Sequence, residues 1–518
     1  MKRDVISMRR LKTAIIDIGS NTIRLVLYQY DKNEGLREFG NMKTVARLRN
    51  YIESDGEMSE KGIQLLATTL NSFKQIIEDY EVTDIRAVAT AAIRQAKNKN
   101  RIISRMKRET GIKIEILSEE EEAYFGFLAV VHSMDTPSAV TIDIGGGSTE
   151  ITLYTDKKLQ NSYSFPFGTV SLKQKFVSDE LINESERNQL REYIKDQFAS
   201  IPWIQNVHYP IVAIGGSARN VAQVHQHHVD YPISGVHHYE ILKDELENMN
   251  ASLGNMTMEQ LKQLDGLSSD RADIIGLAME VFLVLMEFVG SKKFQVSKKG
   301  LREGVIIHRV LQNNAEAFNK YKVFEENSKK LAFEYGRTEE ESKTLLSLAD
   351  QLYKQSCELN LLQFNLTDYE LIRRAAQVYL IGEFIERDSA NQHTFYIIAN
   401  QSIEGLNHKE RVTLALLASY KNRDYFRRFA TPFESWLSKE ELKNLRDYGA
   451  FLKFIYALNI SKRNIVKKVK LDTKENGIHI TISAKKSAVA EKYQAERQKK
   501  HLERLFKKPV TVQFIEKG

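Results

Sequence analysis

Ile16-Asp-Ile-Gly-Ser-Asn-Thr-Ile-Arg-Leu-Val-Leu-Tyr28 lies without a gap on Ile142-Asp-Ile-Gly-Gly-Gly-Ser-Thr-Glu-Ile-Thr-Leu-Tyr154, with six of the thirteen positions identical. Each copy reads as a strand ending in Asp-Ile-Gly, a bend of small residues, and a second strand. One strand-turn-strand device used twice predicts two similar lobes facing each other across a cleft. Around the first copy, residues 13–18 and 23–30 read as strands, 59–80 as an amphipathic helix, 84–90 as a strand, and 112–117 as a strand leading into a helix from Glu119. Alternation of this kind is the pattern of an α/β fold.

From about residue 313 the pattern changes. Helical periodicity with hardly a β-branched run extends to about 459, which predicts an all-helical domain. The last stretch is mixed again. Residues 466–471 and 478–482 alternate like paired strands around the hairpin signal Glu475-Asn476-Gly477, followed by a lysine-rich helix over 489–506 and a final strand over 510–514. The expected domains are a first lobe (1–130), a second lobe (131–312) whose last helix packs back on the first, a helical domain (313–459) and a basic α+β module (460–518).

Length and composition fit this division. At 518 residues the chain is too long for one ordinary core. With 42% hydrophobic and 28% charged residues it has the make-up of a soluble globular protein, and 7 Pro and 26 Gly argue against long low-complexity stretches. The single cysteine, Cys357, excludes an internal disulfide and a cysteine-based zinc site, and suits a reducing compartment. The most apolar stretch, 274–289, is interrupted by Glu280 and Glu287 and falls short of a bilayer span of about 20 residues, so a buried helix and no membrane association are expected. The basic start lacks the apolar core of a signal peptide, and a cytoplasmic location is expected. Residues 461–518 hold 16 Lys or Arg against 6 Asp or Glu, leaving a net −3 for residues 1–460. A basic module on a near-neutral body suits a polyanionic partner, although a solvated lysine-rich face is an equal reading of charge alone.

The two bends carry the chemistry. Backbone N–H groups left unpaired at a glycine turn can receive a phosphate, and glycine permits its close approach. Gly19, Ser20, Asn21 and Thr22 form one such cradle, and Gly145, Gly146, Gly147 and Ser148 the other. The acids at the strand ends, Asp17 and Asp143, are placed to hold magnesium directly or through water, since hard oxygen ligands suit it. A third glycine turn, Gly215-Gly216-Ser217, follows a buried strand and opens a helix. Its N–H groups could bind a further phosphate, or Ser217 could serve simply as a helix cap.

This set of features resembles the fold shared by actin, Hsp70 and the sugar kinases. Within it, the chain is similar to the exopolyphosphatase and guanosine pentaphosphate phosphohydrolase family. The motifs that carry the likeness are AIIDIGSNTIRLVLY from Ala14, AVATAAIRQAKN from Ala87, SEEEEAYFGF from Ser118, TIDIGGGSTEITL from Thr141, FPFGTVSL from Phe165, AIGGSARNVA from Ala213, GLSSDRADII from Gly266 and GLREGVI from Gly300. The resemblance implies that Glu121 is the general base that deprotonates the attacking water. It implies that Arg94 grips phosphate and that Asp143 and Glu150 hold the divalent metal. Ser118-x-x-Glu121 is also a capping box at a helix start, and Glu119, Glu120 and Glu122 read as surface acids favoured by the helix dipole. Arg24, in the second strand, suits a structural ion pair as well as a substrate contact.

Long members of that family carry a His-Asp metal-hydrolase-like helical domain. Here Tyr379 and Leu380 stand where its His and Asp would be and only His393 of the later cluster is present, so the resemblance implies a domain without metal ligands that supports a channel or a dimer contact. The expectation is a magnesium-dependent hydrolase, acting as a homodimer, that releases terminal phosphate from inorganic polyphosphate. The basic module favours that substrate over guanosine pentaphosphate, and nucleic acid is not an expected partner. Two other classes are an actin-like kinase, against which stands the lack of a sugar-site motif, and a non-catalytic alarmone or polyphosphate sensor, against which stands the joint retention of Glu121, Asp143 and Arg94.

Overall fold

A computed structural model describes residues 11–32, 34–474 and 477–516. The chain divides into two compact units, the described residues up to 231 together with 236–323, and residues 232–235 together with 324 onward.

The first unit holds both lobes. In the first lobe, β1 (Leu11–Ile18), β2 (Thr22–Asp31), β3 (Gly35–Val45), β4 (Asp84–Ala89) and β5 (Ile114–Ile116) form one sheet in the order β3-β2-β1-β4-β5. Ala14, Ile15, Ile16 and Ile18 of β1 are all fully buried, so this strand is apolar on both faces and takes the centre of the sheet. The sequence pattern assigns no strand to 35–45, yet β3 is there. It is an edge strand of mixed composition paired only with β2, held by that ladder and by the half-buried Leu36, Phe39 and Met42, which pack on the lobe's core clusters.

The second lobe repeats the plan. Strands β6 (Ala139–Ile144), β7 (Thr149–Thr155), β8 (Lys158–Phe165), β9 (Ile211–Ile214), β10 (Tyr239–Leu242) and β11 (Lys293–Val296) lie in the order β10-β11-β9-β6-β7-β8. The duplication holds to the residue. Asp17 pairs with Arg24 across β1 and β2, and Asp143 with Glu150 across β6 and β7. Each first strand also runs parallel to the strand after the next crossover, β1 with β4 and β6 with β9.

The apolar stretch forms the helix Ile275–Val289, at the centre of the second lobe's core and ended by Gly290 in the left-handed region (φ 71°). Its buried Glu280 is tolerated because Arg187, Arg191 and Asn250 all donate to it, at 3.0, 2.8 and 2.7 Å. Among the described residues no helix is long and apolar enough to cross a membrane. The helix Leu301–Asn313 returns to the first lobe and packs on the helix Glu119–Val131. Its Arg309 bonds Asp84 at 3.0 Å, and a Cβ on Gly304 would run into the Phe125 carbonyl. Gly304→Ala is therefore expected to cost about 3 kcal/mol, read as a lower denaturation midpoint. An unchanged midpoint would mean that the two helices are not in backbone contact.

The second unit begins as helices, among them Glu339–Glu358, Leu366–Val378, Ala390–Asn400, His408–Ala418, Arg423–Ala430 and Lys439–Ala457. Tyr379 is buried and donates to the Tyr420 carbonyl at 2.7 Å, while His393 lies on the helix Ala390–Asn400. Strands β12 (Val466–Lys474) and β13 (Gly477–Ala484) then pair antiparallel, and β14 (Val510–Glu516) adds parallel to β13 after the helix Val489–Phe506. The predicted hairpin residues Glu475 and Asn476 lie outside the described residues.

Candidate active site

The two bends close in the same way. Gly19 donates its N–H to the Thr22 carbonyl at 3.0 Å, and Gly145 donates to that of Ser148 at 2.9 Å. They face each other: a methyl group on Gly146 would touch Ser20 Cβ at 3.4 Å, and one on Gly147 would lie 3.8 Å from Ala91. Between them opens a cavity of about 460 Å3. Gly19, Ser20, Asn21, Thr22, Gly145, Gly146, Gly147, Ser148, Gly215 and Gly216 all line it. The second bend is braced from behind. Thr169 and Val170 donate to the Gly145 and Gly146 carbonyls at 2.9 and 3.0 Å, and a Cβ on Gly168 would lie 2.5 Å from the Gly145 oxygen.

The strand ends parallel to β1 and β6 supply two further turns. Gly215 follows β9 at φ +90°, and any Cβ there would meet Asp143 Oδ1 at 2.6 Å, so the glycine makes room for that carboxylate. Its counterpart after β4 is Thr90-Ala91, which also lines the cavity and has no glycine to betray it in sequence. Ser217 does not line the cavity. It is buried and accepts a hydrogen bond from Arg271 at 3.3 Å, because Arg271 lies across the start of the helix Gly215–His228.

The helix Glu119–Val131 corrects the placement of the acids. Ser118 and Glu121 form a reciprocal capping box. The Glu121 carboxylate accepts from Ser118 N at 2.8 Å and Ser118 Oγ accepts from Glu121 N at 3.1 Å, which leaves Glu121 exposed and off the cavity wall. Glu122, turned about 100° further round the helix, lines the cavity instead, with its side chain 14% exposed. It is therefore not a surface acid. Arg94 is likewise off the wall: its guanidinium donates to Glu122 Oε2 at 2.8 Å and to the Leu117 carbonyl at 3.1 Å.

Burial dominates the electrostatics. It pushes the Glu122 carboxyl up to about 7, against the lowering effect of Arg94 and with added repulsion from Asp143 and Asp17. Burial also raises Asp143 to about 6, where Arg219 opposes it, and raises Asp17 despite the Arg302 guanidinium 3.1 Å away. Glu150 is pushed well up by burial and then by Glu122 and Asp143, although Ser164 donates to it at 2.9 Å. The same wall carries the cations Arg24, Arg219, Arg271 and Arg302, and also Lys43, Arg47 and Arg49. Burial and repulsion from Arg302 and Arg271 lower Arg219 to about 10. Lys43 reaches Asp270 at 3.6 Å and so ties the first lobe's edge strand to the second lobe.

Asp143 and Glu150 face each other across β6 and β7, both on the cavity wall, and among the described residues neither has a cationic side chain within 4.0 Å. Among the described residues no three His, Cys, Asp or Glu side chains gather as a full ligand set. Two buried carboxylates in mutual repulsion still fit a hard dication that takes its other ligands from water and phosphate oxygens, as magnesium commonly does.

The residues that sequence reasoning missed had a signal. Arg219, Arg271 and Arg302 lie in three of the quoted motifs, one arginine in each, and Glu122 follows from the capping box itself, which spends Glu121 on the helix start. Lys43, Arg47 and Arg49 had none, because they belong to the unread edge strand and the loop after it.

The sequence pattern of the Ppx/GppA phosphatase family matches residues 28–313, and that of domain III of the same phosphatases matches residues 323–501. The bifunctional 3-dehydroquinate synthase/phosphatase of Fusobacterium nucleatum is 26% identical over 310 residues, which is 57% of this chain. This chain spans about half of that relative, 46% of its length. Exopolyphosphatase 1 of Mycobacterium tuberculosis is 24% identical over 58% of this chain and 88% of its own. The Ppx/GppA family member from Aquifex aeolicus superposes with a TM-score of 0.53 at 27% identity, over 59% of this chain and 99% of that one. An exopolyphosphatase from Cytophaga hutchinsonii, at 22% identity and a TM-score of 0.54 over 58% of this chain and 98% of its own, is alike in fold. The twin inward bends are thus those of an actin-like two-lobed core followed by the family's third domain, and this chain belongs to the Ppx/GppA phosphatase family.

Proposed function

We propose that the chain is an exopolyphosphatase that releases terminal orthophosphate from inorganic polyphosphate, with Glu122 as the general base. The observation that carries this reading is a carboxylate held near neutrality at the wall of a cavity made by two facing phosphate cradles. The backbone N–H groups of the bends, with Arg219, Arg271 and Arg302, bind and orient the terminal phosphoryl group. Glu122 takes the proton of a water as its oxygen forms a bond to phosphorus, and the bond from phosphorus to the bridging oxygen breaks. The shortened chain leaves on that oxygen. Arg94 is a positioning residue that holds the base. Asp143 and Glu150 would hold magnesium, which neutralises charge on phosphate oxygens when bound.

The cavity wall favours a phosphate chain over a nucleotide. Among the described residues that line it there is no aromatic side chain on which a guanine could stack, whereas Lys43, Arg47 and Arg49 add to its cationic side chains. The test is to incubate the chain with magnesium and, separately, long-chain polyphosphate, guanosine pentaphosphate and ATP, and to assay free phosphate. Polyphosphate is expected to be the best substrate, and a chelator in excess of the magnesium is expected to stop release. Faster release from guanosine pentaphosphate would reassign the substrate, and release from none would end the reading.

A further inference from the structure

On the helix Val489–Phe506, Tyr493, Arg497, Lys500 and Arg504 follow one another at helical spacing, opposite the buried Glu491, Ala495 and Leu502. The helix Lys439–Ala457 packs beside it and contributes Lys453, whose ammonium donates to the Lys421 carbonyl at 2.7 Å. Arg423 opens the preceding helix, Arg423–Ala430, and, like Arg504, acts electrostatically on the Tyr420 phenol. Among the described residues none of these six cations, Lys421, Arg423, Lys453, Arg497, Lys500 and Arg504, has a carboxylate within 4.0 Å.

The crowding of charge is visible inside the patch. His501 is only 7% exposed, and its Nε2 has no hydrogen-bond partner among the described residues. Burial, then Lys453, Arg504 and Lys500, push its imidazole down to about 4. Burial and then Lys500, Lys421 and Arg497 lower the Lys453 ammonium as well. Unpaired cations gathered around a buried neutral imidazole form a positive field that complements a polyanion. Charge is not the whole of the face. Tyr493 is 61% exposed, with the Arg497 guanidinium 5.6 Å from its ring centre, and the Lys421 ammonium lies 5.4 Å from that of Tyr425. A bare phosphate chain offers nothing flat to such rings, but a single-stranded polynucleotide offers bases to them while its phosphates meet the cations.

We propose that this face of the second unit binds single-stranded RNA, with Tyr493 as a stacking platform and the cations of the helix seam as the backbone track. The proposal concerns the second unit alone and stands whether or not the first is a hydrolase. It is tested by fluorescence anisotropy of a labelled oligouridine dodecamer titrated with the full chain. Binding is expected at micromolar concentration in about 100 mM salt and should weaken steeply as salt rises. The double variant Lys500→Glu/Arg504→Glu should lose at least about tenfold in affinity. Tyr493→Ala should lose at least about fivefold while Tyr493→Phe keeps the wild-type value. Circular dichroism melts of all three should match the wild type, since these side chains face solvent. Absence of binding, or charge reversal without effect, overturns the proposal. So does displacement of the dodecamer by long-chain polyphosphate combined with an indifferent Tyr493→Ala, which would make the face a track for bare phosphate.

Discussion

Glu122→Gln is expected to lower phosphate release from polyphosphate by about a thousandfold, while Glu121→Gln leaves it within about twofold. The two variants differ by one position and by the same pair of atoms, so their contrast reports geometry alone. Glutamine at 122 still fills the space and can still accept from Arg94, but it cannot take a proton from water. Glutamine at 121 still completes the capping box, where Glu and Gln serve alike, so the helix start survives. Initial rates of free phosphate at saturating polyphosphate check the pair. Equal losses in both variants, or a larger loss at 121, would remove Glu122 from the base role.

Arg94→Met is expected to move the acidic limb of the pH–rate profile to higher pH. In the wild type the base must be deprotonated, so kcat/KM rises with pH through about 7 and falls below it. Arg94 lowers the Glu122 carboxyl by its hydrogen bond and its charge. Its removal leaves burial and the repulsion of Asp143 and Asp17 unopposed, and the carboxyl titrates higher. For each unit of that displacement, activity at a pH below the limb falls by about a further tenfold, and the alkaline plateau recovers most of the rate. A limb that stays in place, with KM raised instead, would return Arg94 to direct contact with phosphate.

Much of the fold was legible because it rests on local pattern. The ungapped repeat of Ile16–Tyr28 on Ile142–Tyr154 implies a shared hairpin, and the observed registers, Asp17 with Arg24 and Asp143 with Glu150, are the same pairing shifted by one repeat. The amphipathic helix expected over 59–80 runs from Glu60 to Asp79. The edge strand β3 escaped because its core-facing Leu36, Phe39 and Met42 fall three apart and do not alternate, the pairing with β2 being interrupted by a register shift at Leu27 and Tyr28. Thr90-Ala91 escaped as a phosphate-facing turn because only its position beside β1, parallel to it, makes it the counterpart of Gly215-Gly216.

The sequence by itself determined that two like hairpins with acidic strand ends exist, since strand pairing and glycine turns depend on neighbours a few residues apart. Which acid faces the cavity was decided only by tertiary structure. Along Glu119-Glu120-Glu121-Glu122 composition is constant, and the helix sends each side chain in a different direction. The capping box takes one carboxylate, and the second lobe, arriving from residues far along the chain, buries another and gives it its basicity.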